Sequence, residues 1–135
     1  LGNNGGQNLY YIRYADVLLM KAEAENELNK GPNSAAYEAI NKVRERAGVP
    51  ALSGLTYDSF TKALRKERAL ELSFEGHRKY DLLRWGTYVE TIKNTTDPAL
   101  KVPRANIQPY HVLMPIPQRE IDVTNGSLTQ NPGYN

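Results

Sequence analysis

The residues best suited to chemistry are two carboxylates, Glu67 and Glu71, set four apart in the stretch ERALELSFEGHRKYDLLRWG. On a helix that spacing puts them roughly 5–6 Å apart on one face, near the carboxyl separation with which retaining glycosidases cleave a sugar linkage. The direction is wrong for that reaction. An acid and a nucleophile must flank the scissile bond, whereas side chains stacked on one helix face point the same way. Phe60, Ala63, Leu64, Leu70 and Phe74 fall on one helical face, with Glu67 and Glu71 in its middle. A carboxylate among apolar groups loses its hydration and stays ionised only where a cation or several donors replace the water. Arg65, Arg68, Arg78 and Arg84 lie close by in sequence. Glu67, Arg68, Glu71, Glu75, Arg78, Asp81 and Arg84 therefore read as a structural ion-pair motif.

Other reactive constellations are missing. The chain has no cysteine, no Gly-x-Ser-x-Gly elbow, no His-Glu-x-x-His, no phosphate-cradling glycine loop and no Asp-rich calcium loop. His77 and Asp81 stand four apart, but two ligands on one turn do not make a metal site. No catalysis, cofactor or metal is expected. What remains is non-covalent: a flat aromatic face packs well against the axial C–H groups of a pyranose. Trp85, the only tryptophan, is one candidate, although its helical register favours the core, where large aromatics mostly sit. Tyr88, Tyr110 and Tyr134 are the others, placed in or near loops, where binding residues concentrate.

The elements that would position these residues are helical. At 135 residues, 40% hydrophobic and 24% charged, the chain fits one domain with a modest core. Its net charge of +2 comes from interspersed signs, which gives no nucleic-acid footprint. Residues 1–8, rich in glycine and asparagine, read as a flexible N-terminal segment. Residues 10–29 read as a helix presenting Tyr11, Tyr14, Ala15, Leu18 and Ala22 on one face, with Leu19 flanking it. Lys30-Gly31-Pro32 ends it, the glycine taking the left-handed cap. A second helix, capped by Asn33 or Ser34, carries the small-residue stripe Ala36, Ala39, Ile40, Val43 and Ala47. The two make a hairpin of tetratricopeptide-like length.

Thr56 caps a third helix, with Asp58 in its first turn. Gly76 breaks the pattern, and a fourth helix is expected to run through Trp85 to about Lys93. Residues 94–109, with three prolines, read as an irregular loop. Residues 111–117 read as an extended apolar segment laid across the helices. Residues 118–123 read as one helical turn with Ile121 inward, and the rest as turns. The fold class expected is all-α with long irregular C-terminal loops.

The stretch ERALELSFEGHRKYDLLRWG resembles the signature of the SusD/RagB family of outer-membrane nutrient-binding lipoproteins. Two further stretches, RYADVLLMKAEAEN and MPIPQREIDVTNGSLTQNPGYN, are similar to that family's C-terminal region. The resemblance implies a helical fold with tetratricopeptide-like hairpins, in which residues 9–135 form the C-terminal domain of a longer chain. It also implies non-catalytic binding of a glycan or other nutrient oligomer at the surface of an outer membrane. Delivery would be to a TonB-dependent SusC-like transporter. The anchor would be an N-terminal lipid outside this chain, and missing helices of the same protein would cover part of the surface. The family's glycan-contacting aromatics lie in variable segments, so no ligand contact carries over, and the motif from Glu67 to Trp85 looks like scaffold. Two other classes stay open: a helical protein-interaction module built on residues 10–47, and a hydrolase using the paired carboxylates.

Overall fold

Ala/Glu/Lys/Leu-rich sequence in the first half and proline-punctuated sequence in the second produce helices of very different length. A computed structural model describes residues 10–134, so the opening segment 1–8 lies outside the described residues. Its helices are α1 (Tyr14–Asn29), α2 (Ser34–Arg46), α3 (Tyr57–Glu71), α4 (His77–Arg84), α5 (Tyr88–Asn94), α6 (Lys101–Asn106) and α7 (Gln118–Val123). Tight 3-10 turns span Pro98–Leu100 and Pro109–Val112, and no strand occurs among the described residues. The fold is all-α. The chain forms two compact units that divide after Gly76.

In the first unit α1 packs against both α2 and α3. Leu19, Ala22, Ala36, Ile40 and Phe60 are essentially inaccessible, and Val43 and Leu64 nearly so. Each large apolar side chain so buried contributes about 1.5–3 kcal/mol. Phe60 meets Tyr37 edge-on at 5.4 Å between centroids. The small residues Ala22, Ala36 and Ala39 are buried with them, which lets the helices approach closely. The linker from α2 to α3 is tied down by side chains: Asn41 exchanges two hydrogen bonds with the backbone of Leu52, and the Leu55 N–H donates to the Tyr37 hydroxyl.

Several expectations are corrected here. Helix α1 begins at Tyr14, and Tyr11 and Tyr14 are 80% and 70% exposed; the buried stripe is Ala15, Leu18, Leu19, Ala22 and Asn26. Lys30, not Gly31, takes the left-handed cap at φ 52° and donates its N–H to the Asn26 carbonyl. On α3 the inward stripe runs Phe60, Leu64, Glu67 and Arg68, which rotates Leu70 outward. Phe74 lies beyond the helix end at φ 65° and is fully exposed. Ala47 at the end of α2 is exposed as well.

In the second unit the fourth helix does not continue to Lys93. Gly86, at φ 68°, reverses the chain between α4 and α5, a conformation glycine adopts without steric cost. Residues 94–109 are not irregular throughout. Asp97 accepts from the Ala99 N–H to cap the turn begun by Pro98, and α6 carries Pro103 in its first turn, where the missing N–H has no intrahelical use. His111 and Val112 belong to a 3-10 turn, and Val112, Leu113 and Met114 are about half exposed or more, so the apolar run does not lie buried across helices. The tail holds it instead. The Gln130 side chain both accepts from the Ile116 N–H and donates to its carbonyl, Asn131 donates to the Met114 carbonyl, and the Tyr134 hydroxyl donates to that of Leu113. Ile121 on α7 is half-buried.

Candidate functional site

The carboxylates of α3 are held by arginines from α2 and from the segment leading into α1. Arg44 reaches Glu67 at 2.5 Å and also donates to the Pro50 carbonyl. Glu71 sits between Arg13 at 2.9 Å and Arg46 at 2.5 Å. Arg13 further grips both oxygens of Glu75 at 2.8 Å each and donates to the Glu71 carbonyl. Hydrogen bonding to Glu75, before all else, holds this guanidinium above its already high ordinary range. Arg68 turns to Asp16 of α1 at 2.9 Å, with both side chains almost fully buried. Glu67 and Glu71 are thereby engaged as acceptors on one side of a helix. They do not face each other across a cleft, as the two carboxyls of a glycosidase must. Arg13, Arg44 and Arg46 escaped sequence reasoning because nothing in local spacing marks a partner 58, 23 or 25 residues away.

In the second unit Asp81 is buried and accepts from Arg84 at 3.0 Å. The guanidiniums of Arg84 and Arg78 lie 4.8 and 5.8 Å from the centre of the half-buried Trp85 ring, within cation–π range. The three tyrosines collect elsewhere in this unit. Tyr88 and Tyr134 line a cleft of about 250 Å³ together with Lys79, Asn106, His111 and Met114, and Trp85 does not line it. Tyr110 stands behind, edge-on to Tyr134 at 5.0 Å and tilted against His111 at 4.3 Å. The Lys79 ammonium donates to the Met114 thioether at 3.4 Å and lies 5.9 Å from the Tyr88 ring centre.

His111 Nδ1 accepts from the Gln108 N–H, which leaves Nε2 to carry the proton and to donate. Such a cleft can hold a ring by its apolar face and its polar edge. Lys79, Asn106, His111 and Met114 were not singled out from sequence; residues 79, 106, 111 and 134 meet only because α4, α6, the 3-10 turn and the tail are folded together. Among the described residues no three potential metal-ligating side chains converge.

The chain matches the SusD family over residues 2–134. It is 45% identical across 97% of its length to SusD-like protein P25 of Formosa agariphila. It superposes on a SusD homologue from Bacteroides thetaiotaomicron with a TM-score of 0.82 and 44% identity over 93% of its length. A laminarin-binding SusD-like protein matches at a TM-score of 0.71 and 36% identity over 95%. The chain spans about a quarter of each of these relatives, 26%, 27% and 23% respectively. With the family matched over residues 2–134 and relatives aligning along nearly the whole length, the chain belongs to the SusD family.

Proposed function

We propose that this chain is the C-terminal part of a receptor that captures a glycan or other nutrient oligomer at an outer-membrane surface without breaking bonds. The receptor is held by a lipid on an N-terminal part outside this chain and passes its ligand to a TonB-dependent SusC-like transporter. The observation that carries the reading is the match along 95% of the chain to a laminarin-binding relative. Commitment of Glu67 and Glu71 to arginines supports capture over hydrolysis. Tyr88, Tyr110 and Tyr134 are the aromatics gathered to meet a sugar ring, and Trp85, flanked by two arginines, is the candidate that stands outside their cleft. The ion-pair motif from Glu67 to Arg84 serves as scaffold.

A second reading, a helical module that binds a protein partner, is favoured by one feature. Tyr14, Val17, Met20 and Leu28 are exposed along α1, and apolar side chains left uncovered on one helix suit contact with a partner.

Calorimetric titration of laminarin and a panel of other glycans into this chain, and into the complete protein containing it, tests the proposal. Binding without release of reducing ends is expected for the complete protein. Binding by both places contacts in this chain; binding by neither overturns the glycan reading and leaves the interaction module.

A further inference from the structure

The cleft of the second unit has a charge preference built into it, and this inference rests on the glycan reading above. Among the described residues, Lys79 is the one charged side chain lining it, and no carboxylate side chain does. The contacts of its ammonium are the Met114 thioether and the Tyr88 ring. A thioether is a weak acceptor, so the cation keeps donor capacity for an incoming oxyanion, which would form a shorter and stronger charge-assisted bond. The volume of about 250 Å³ falls just under the roughly 300–1,000 Å³ that encloses a drug-sized ligand, which suits one ring rather than an oligomer.

The remaining wall matches a sugar. Tyr88 and Tyr134 offer aromatic surface, and His111 contributes the free Nε2 donor. Asn106 commits one N–H to the Val102 carbonyl and keeps its amide oxygen as an acceptor for hydroxyls. We propose that this cleft is a subsite for a single sugar ring bearing an anionic substituent, carboxylate or sulfate, with the anion on Lys79.

The test titrates the whole chain with glucuronic acid, glucose 6-sulfate and glucose, following tyrosine and histidine ring signals by NMR. Either or both anionic sugars should bind about three- to tenfold more tightly than glucose, with an advantage that falls as salt rises. The shifts should centre on Tyr88, His111 and Tyr134. Lys79→Met should erase the preference, and Lys79→Arg should restore it. Preference for the uronate alone or the sulfate alone identifies the substituent.

Equal binding of charged and neutral sugars, a preference that survives Lys79→Met, or shifts confined to other residues overturns the proposal. If the complete protein binds laminarin while the cleft shows no anionic preference, the inference fails and glycan capture stands. If no sugar binds to either protein, both fail.

Discussion

Asp16 and Arg68 show what a charge costs and what it secures. Their side chains are 6% and 4% exposed and meet at 2.9 Å, so each ion has given up its water for the other. Removing Asp16 takes a carboxylate away from a buried guanidinium, and Asp16→Ala should lower the unfolding free energy by up to about 3–5 kcal/mol in denaturant titration. Glu67→Ala, which strands Arg44 in a partly buried site, should cost up to that amount, and an unchanged melting temperature would refute the buried-pair account. The Lys42–Glu38 pair, about half exposed on both sides, is the control: Lys42→Ala should leave the unfolding midpoint unmoved, since exposed pairs contribute little. Tyr57 adds a pH signature. Its phenol donates to the Glu27 carboxylate at 2.7 Å, a bond that raises the phenol above its ordinary value. Because the folded value is the higher one, the contact's contribution is complete below the unfolded phenol's pKa near ~10 and is lost as pH rises through the folded value. In ultraviolet titration Tyr57→Phe should delete a phenol from the alkaline end of the curve; deletion from the early end would be the contrary result. That carboxylates on α3 need cations follows from their apolar neighbours. Which cations answer does not, because the pairing is made across helices.

At the level of elements, chain-local chemistry sets where helices start. Asn33 accepts from the Ala36 N–H and donates to Glu25, so it caps α2 while tying it to α1. Thr56 and Ser59 form a reciprocal box at the start of α3. Asn33→Ala should cost about 1 kcal/mol or somewhat more, since a second bond is lost with the cap. Inside the hairpin, Ile40→Ala should cost about 2–5 kcal/mol by opening a cavity at an inaccessible position. In the second unit the sensitive position is Gly133, at φ 91°. A Cβ there would stand 2.4 Å from the Tyr110 ring, near the ring's root, where the side chain has little room to yield. Gly133→Ala should therefore part Tyr134 from Tyr110, visible as altered tyrosine ring shifts, and weaken any ligand affinity of the cleft. The caps at Asn33 and Thr56 and the break near Gly76 were readable because each is set by two to four adjacent residues, whereas the left-handed cap at Lys30 and the break at Gly86 were not. Helix phase was less so: Leu70 and Phe74 fit the apolar period of α3, yet the face that meets α1 is rotated away from them.

Across the whole molecule, apolar burial is uneven. The first unit holds the cluster around Leu19, Ile40, Phe60 and Leu64, whereas Leu82 and Ile107 are the buried hydrophobics of the second among the described residues. Hydrogen exchange should find the slowest amides in α1, α2 and α3, with those after His77 exchanging through smaller openings; uniform protection across both units would contradict this. Sequence by itself determined the helical class, the hairpin, most helix starts, the absence of reactive motifs and the family, because periodicity, caps and a long ungapped motif are all local. Tertiary structure alone decided the rest. It chose Arg13, Arg44 and Arg46 as partners of the α3 carboxylates, turned the inward face of α3 away from Leu70, and brought Lys79, Tyr88, His111 and Tyr134 to one cleft. Those outcomes depend on contacts between residues tens of positions apart, and no period or spacing along the chain encodes which distant side chain will arrive.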